Sequence, residues 1–435
     1  MEAGAIWIAP FDLTFPTNVS LARWHITASP CSAADRFGRR EAGVYLPPYL
    51  TNDMVTYRIV CVTGVTLHLR GAFAKMAKKM VMTQQRFGAM KEAVIAAVAM
   101  AALVASLASP AFAAEGVWAK KAPLAVAMAE VGVAEIDGQI YTVGGTEQRE
   151  KAAPNWASTL NFMYDPALGA WQAKAPLPHG LTHVGVAALG GKLYAIGGFT
   201  NAVHMNAQDS AFVYTPRANT WKALPKLPTA RGSVAAVAID GKLHVFGGRR
   251  SDQVVKVSPP GAPEMFQGFG TVGTHDIYDP ATGKWSQGAP IPGPGRDHVG
   301  VAALNGKVHL FGGRTADVSD NLDRHDVYNP KTDAWTTAAP LPTPRSAGAY
   351  TVLEGRIIYA GGECKPGGAP FSPNTYNDVT AYDQGTDRWT SLTPLPQGRH
   401  AFGAATVHDI AYFVGGAPVC AGGAMTDILA LTLRE

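Results

Sequence analysis

The sequence predicts an all-β fold, a six-bladed propeller of four-stranded antiparallel blades, on two recurring observations. A Tyr is followed seven positions later by a Trp five times: Tyr164 and Trp171, Tyr214 and Trp221, Tyr278 and Trp285, Tyr328 and Trp335, Tyr382 and Trp389. Ahead of each, an apolar run ends in a Gly-Gly pair: Gly144-Gly145, Gly197-Gly198, Gly247-Gly248, Gly312-Gly313 and Gly361-Gly362. A sixth pair, Gly415-Gly416, stands near the C-terminus with no Tyr and Trp after it. From Trp171 onward, successive repeat Trp residues are 50, 64, 50 and 54 positions apart. A period of about fifty residues rich in strand signals is the mark of a propeller or array.

The chain has 435 residues, 47% hydrophobic and 16% charged, with a formal net charge of +4. That composition belongs to a globular protein rather than a disordered or disulfide-dense one. No extended block of Lys or Arg accompanies the mild positive balance, so no nucleic-acid partner is expected. Residues 93–107, AVIAAVAMAALVASL, form an apolar run of 15, with Lys78, Lys79, Arg86 and Lys91 upstream and Ala111-Phe112-Ala113 downstream. A basic region, a short apolar run and a small-x-small site read as a secretory signal cleaved after Ala113. The run falls short of the roughly 20 residues of a bilayer span. A membrane anchor behind a cytoplasmic N-terminal domain is the alternative reading. Residues 1–75 show no repeat and read as upstream translation or a disordered extension, with Met76, Met80, Met82 and Met90 as candidate starts. The expected organisation is therefore 1–75 extension, 76–113 signal peptide and 114–435 propeller, with the mature chain periplasmic or secreted.

Each blade element has a residue-level reason, and residues 227–285 serve as the example. Arg231 precedes Ser233–Ile239, a strand of small and β-branched residues. Asp240-Gly241 is a hairpin turn signal. Lys242–Phe246 is the second strand and closes on Gly247-Gly248. After a long loop, Asp276–Tyr278 forms the third strand, Asp279-Pro280 opens a turn, and Trp285 begins the fourth. First strands read VGVAAL, SVAAVAI, VGVAAL, AGAYTVL and FGAATV in successive repeats, small enough for the tapering axis. Tyr and Trp on the outer strands fill the widening space between blades, at roughly 150–250 Å² each. The Gly-Gly pair permits positive φ and close backbone approach where the second strand leaves the sheet.

Gly-Gly after an apolar strand, Tyr-Asp-Pro, and a Trp seven beyond the Tyr resemble the Kelch repeat, over residues 118–435. The resemblance implies a propeller and is nearly silent on function, because Kelch propellers include enzymes and binding scaffolds alike. The sixth repeat supplies Ala401–Val407, Ile410–Val414 and Ile428–Leu433, then the chain ends without an outer Trp strand. Trp118, followed by Ala122-Pro123-Leu124, is expected to provide it and to close the ring. Beyond Ala113 the cysteines are Cys364 and Cys420, each after the Gly-Gly pair of consecutive repeats. A disulfide between them is expected in an oxidising compartment, with two unpaired thiols as the alternative.

The first-strand starts and the loops after Gly-Gly share one face. Arg231, Arg296, Arg345 and Arg399 occupy equivalent starts there, with Met128 and Leu181 in the first two repeats. Two residues on, the set reads Glu130, His183, Ser233, His298, Ala347 and Ala401. Ring closure would gather these around one mouth of the axial channel. Arg forks match carboxylates and phosphates, and in Kelch relatives Arg at this position often contacts ligand. Arg231, Arg296, Arg345, Arg399, His183, His298 and Glu130 are therefore the candidate ligand-binding set, with Met128 and Leu181 as an apolar flank. The alternative is that each Arg bonds nearby carbonyls and organises its blade. Arg249 and Arg314 add positive charge to this face, and Glu363 opposes it. The long loop 249–274, with Met265, Phe266 and Phe269, is a candidate lid or homodimer contact, or an uncommitted surface loop. Gly268–Gly273 spells GxGxxG but lacks the strand-to-helix context of a dinucleotide site. His275-Asp276 and His325-Asp326 read as repeat features. No His/Cys spacing marks a zinc site and no nucleophile elbow is present, so neither a metal nor a cofactor is expected.

These readings favour an exported binding module for an anionic sugar or acidic peptide at the Arg-bearing mouth. The alternative is an enzyme resembling the periplasmic Kelch mutarotases that interconvert sialic acid anomers, with Glu130 or His298 as candidate catalytic acid or base. A copper enzyme resembling galactose oxidase is less favoured. Its Tyr–Cys crosslink and seven-bladed scaffold have no match here.

Overall fold

The computed structural model describes residues 24–30, 50–51, 54–59, 65–72, 116–147, 157–201, 204–256, 266–316, 320–369 and 371–434. The chain divides into two units, Met1–Ser109 and Pro110–Glu435. In the first, Trp24–Pro30, Val65–Ala72, Met54–Ile59 and Leu50–Thr51 pair in that order as an antiparallel sheet. The expected signal segment, 76–113, lies outside the described residues.

The second unit is the six-bladed propeller. Blade 3 runs Ala235–Ile239, Lys242–Phe246, His275–Asp279 and Lys284–Gln287, each strand antiparallel to the next. Blades 1, 2, 4 and 5 repeat this order within residues 132–173, 185–223, 300–337 and 349–391. First strands start one or two residues later than their apolar runs suggest, because the residue two before each start turns through positive φ, as at Ser233 and Ala401. Among the described residues there is no α-helix, and no helix is long and apolar enough to cross a membrane.

Blade 6 confirms the closure. Gly403–Val407, Ile410–Val414 and Ile428–Leu433 are completed by Gly116–Lys120 from the opposite end of the unit. In the other five blades the repeat Tyr and Trp lie directly opposite each other, ring centroids 5.0–5.2 Å apart. Each Trp also donates its indole N–H to a carbonyl beyond its blade: Trp171 to Ala122, Trp221 to Ala175, Trp285 to Pro225, Trp335 to Ala289 and Trp389 to Ala339. Trp118 follows the rule, donating to the Thr393 carbonyl at 3.1 Å. Its cross-strand partner is Leu431 instead of a Tyr, and Phe413 packs edge-on against it at 5.2 Å.

The core lies between blades as much as within them. One cluster joins Ile140 and Tyr164 of blade 1 to Tyr412, Val414 and Ile428 of blade 6. Another joins Ile358 and Val379 of blade 5 to Phe413 and Leu431 of blade 6. Inner strands must be small because they nearly touch: a Cβ on Gly403 of blade 6 would strike Val133 of blade 1. Cys364 and Cys420, from the loops of blades 5 and 6, form a disulfide with Cα atoms 5.1 Å apart.

Candidate functional site

The four equivalent arginines do not reach the mouth. Arg231, Arg296, Arg345 and Arg399 are 0–1% exposed. Each turns back onto the first carbonyl of its own Gly-Gly pair, at Gly247, Gly312, Gly361 and Gly415 respectively. Arg231 ion-pairs with Asp276 at 2.7 Å, Arg296 with Asp326, and Arg399 with Asp427 at 3.3 Å. Arg345 has no such carboxylate; it bonds Thr380 Oγ1 at 2.7 Å and lies over the Tyr359 ring. The backbone carbonyl of each Arg accepts the N–H of the second Gly of the preceding blade, from Gly198, Gly248, Gly313 and Gly362, at 2.9–3.0 Å. Both Gly residues of these pairs have positive φ, and a Cβ on the first would collide with that carbonyl. The Arg and Gly-Gly positions are thus one inter-blade joint. This corrects the expected Arg-bearing rim, since buried and paired guanidiniums are unavailable to a ligand. Met128 and Leu181, expected to flank it, are 1% and 0% exposed and belong to the core.

The residues two positions on do line the mouth. Glu130, His183, Ser233, His298, Ala347 and Ala401 all have φ between 50° and 59°. They are joined by a closed circuit of backbone hydrogen bonds. The N–H of Glu130 donates to Ala401 O, Ala401 to Ala347 O, Ala347 to His298 O, His298 to Ser233 O, Ser233 to His183 O, and His183 to Glu130 O, over 2.7–3.4 Å. Left-handed backbone at six non-glycine residues is costly, and the circuit holds it in place. Inside the ring is a cavity of about 100 Å³. Next to it, Val131, Val133, Val186, Val234, Tyr350 and Phe402 are among the residues lining a second space of about 110 Å³.

Two imidazoles on the ring are backed by carboxylates. His183 Nε2 lies 3.2 Å from Glu130 Oε1, and its Nδ1 lies 3.0 Å from Thr182 Oγ1. His298 Nδ1 lies 3.0 Å from Asp297 Oδ1, while Arg314 Nη2 approaches its Nε2 at 3.3 Å. His204, on the loop after the second Gly-Gly pair, faces both rings with centroids 4.7 Å from His183 and 5.2 Å from His298. Around them Arg249 pairs with Asp297, and Arg314 pairs with Glu363 and with Asp297 at 3.5 Å. Burial pushes the carboxyls of Glu130 and Asp297 up, but the adjacent imidazoles and guanidiniums outweigh it and hold both well below the usual range; His183 is foremost for Glu130, and His298 and Arg249 for Asp297. Burial, with Arg314 nearby, lowers His298; burial with His183 and Arg249 lowers His204 well below 6.5. Three ionised carboxylates therefore face two guanidiniums, and the mouth carries no surplus of positive charge.

The 249–274 loop contains a hairpin, Arg249–Lys256 against Phe266–Thr271, with residues 257–265 outside the description. Met265 therefore also lies outside it. Arg249 sits over the Phe269 ring at 5.1 Å, and Val254 and Val255 are about half exposed. The GxGxxG run lies in this hairpin and the turn after it, with no helix to present a phosphate site. Sequence reasoning missed Asp297 and His204. Asp297 adjoins a recognised Arg and His, whereas His204 carried no spacing signal.

A family model of the KLHDC2/KLHL20/DRC7 Kelch-repeats domain matches residues 186–416. The protein belongs to the Kelch-repeat family, as the joint and the Tyr–Trp seams require. Kelch-like protein 23 of Homo sapiens is 31% identical over 140 residues, 32% of this chain and 24% of that protein. Kelch-like protein terF of Aspergillus terreus is 26% identical over 320 residues, 72% of this chain and 55% of that protein. The chain thus spans a quarter to about half of these curated relatives. The solved structure of YjhT superimposes with a TM-score of 0.57 at 19% identity, covering 72% of this chain and 97% of that one. That likeness concerns the fold.

Proposed function

We propose that the protein is an exported Kelch binding module that takes the polar end of a ligand, a sugar or a peptide, into the axial mouth. One observation carries the reading: Glu130, His183, Ser233 and His298 are consecutive polar members of an otherwise small-residue ring and open on one cavity. The cavity of about 100 Å³ is below the roughly 300–1,000 Å³ of an ordinary ligand pocket. A terminal group fits there, with the rest of the ligand on the surrounding loops. Export rests on the apolar run 93–107 and the Ala111–Ala113 site, and the disulfide agrees with an oxidising compartment. The test is a thermal-shift panel of neutral sugars, acidic sugars and acidic peptides on the purified protein. Hits should weaken at least tenfold in His298→Ala and Ser233→Tyr and be unaffected by Arg345→Lys. Hits indifferent to both ring variants would place binding elsewhere.

A second reading, sugar mutarotation, is favoured by the pairs Glu130–His183 and Asp297–His298. Ring opening at an anomeric carbon needs one group to take a proton and another to give one, and two carboxylate-backed imidazoles with centroids 5.2 Å apart could divide that work. NMR anomer exchange of N-acetylneuraminate decides it: no acceleration over buffer rejects this activity. A galactose-oxidase-type Tyr–Cys crosslink has no free cysteine to draw on among the described residues, because Cys364 and Cys420 bond each other.

A further inference from the structure

We propose that His183, His204 and His298 hold one divalent transition-metal ion of the zinc–copper type at the axial mouth, with Glu130 beside them as a fourth donor. The inference does not depend on the ligand reading. The three residues are 21 and 94 positions apart in the chain, and the fold alone assembles them. One donor nitrogen from each lies within 4.8 Å of the others. A closed tetrahedral set at Zn–N distances of about 2.0–2.1 Å has donors about 3.3 Å apart, so modest ring rotations suffice. Glu130 Oε1 and His183 Nε2, at 3.2 Å, already have that spacing. A metal would take the place of the proton between them.

Outer groups orient the rings as metal-bound histidines require. Asp297 Oδ1 accepts from His298 Nδ1, and Thr182 Oγ1 is in place to accept from His183 Nδ1, which turns both Nε2 atoms toward the mouth. Arg314 opposes the ion: it stands 3.3 Å from His298 Nε2 and must give up that contact. Its charge and that of Arg249 are matched by Glu363 and Asp297, leaving Glu130 to offset the metal. Glu130, His183 and His298 also line the cavity of about 100 Å³ in the ring, and His204 stands beside it against both imidazoles. Imidazoles with one carboxylate suit Zn²⁺, Cu²⁺ or Ni²⁺ over Mg²⁺ or Ca²⁺.

The experiment is equilibrium dialysis of the chelator-treated full-length protein against ZnCl₂, with CoCl₂ as a spectroscopic probe and MgCl₂ as control. The expected result is one Zn²⁺ per chain, visible Co²⁺ bands of a low-coordinate site, and no Mg²⁺. His204→Ala should lower Zn²⁺ affinity at least 100-fold and abolish the Co²⁺ bands, and His183→Gln should do the same. Melts in EDTA establish that each variant is folded; His204 sits on a loop, so its variant should melt like the parent. Substoichiometric Zn²⁺ in the parent overturns the proposal, as does stoichiometric Zn²⁺ unchanged in both folded variants. Repeating the ligand panel in EDTA separates this outcome from that of the ligand reading.

Discussion

The backbone N–H of Glu130 donates to the carbonyl of Ala401 at 2.7 Å and so joins the first blade to the last. Without it the circuit of six left-handed residues would be an open arc. The ring is tied at a second radius by Gly116–Lys120, which completes blade 6 beside Ile428–Leu433. These two closures, one at the axis and one at the rim, leave no exposed edge between the first and sixth blades.

Removing the outer closure should open the ring. Deleting residues 114–124 exposes the edge of Ile428–Leu433 and takes away the Trp118 bond to Thr393. A strongly lowered melting temperature is expected. Trp118→Ala alone should cost about 3–5 kcal/mol, the usual range for a packed aromatic. Melting temperatures equal to the parent's would defeat the closure model.

Arg231→Ala should destabilise without touching the mouth. It strands Asp276, 0% exposed, with no countercharge at 2.7 Å. Loss of one partner of a buried pair costs about 3–5 kcal/mol. Denaturant unfolding measures this, and a change below about 1 kcal/mol would return the arginine to the candidate ligand set.

The disulfide bridges positions 56 apart, in the loops of blades 5 and 6. The chain-entropy model assigns such a link up to ~4 kcal/mol. The double variant Cys364→Ser with Cys420→Ser should unfold at lower denaturant, and reductant should shift the parent to match it. Parent protein indifferent to reductant would contradict this.

Acid should weaken the fold in two stages. His244, His275 and His325 are lowered to about 4 and His309 to about 3, burial being the first cause in each. Their folded values lie below the ordinary 6.5, so the stability they lend is complete above pH 6.5 and is lost as pH falls toward 4. The depressed carboxyls of Glu130 and Asp297 add a second loss, below their ordinary 4.5 and 3.8. Melting temperature against pH should be level from 8 to about 6.5 and decline steadily below it. A level profile down to pH 4 would show that these side chains do not titrate with folding.

The fold was legible because repetition makes it so: five Tyr–Trp pairs and six Gly-Gly pairs fix the blade, and the solitary Trp118 points to the missing strand. The arginines were located correctly in sequence but misread in role. Their spacing gives position around the axis, whereas the carboxylates of Asp276, Asp326 and Asp427 that claim three of them come from the third strand of each blade or just before it. Glu130, His183 and His298 were found by the same alignment, and they reach the cavity because positive φ turns them inward.

By itself the sequence determined the all-β class, the blade count and the closing strand, because each depends on contacts repeated at a fixed period; it left the cysteine pair as one of two alternatives, which the fold decided by bringing Cys364 and Cys420 together. Tertiary structure decided which charged groups are buried, that His204 folds in beside His183 and His298, and that the mouth is balanced in charge. Those outcomes depend on loops whose length and direction the period does not set. The carboxylates that Arg249 and Arg314 meet, Asp297 and Glu363, belong to the next blade in each case, so no local spacing could announce them.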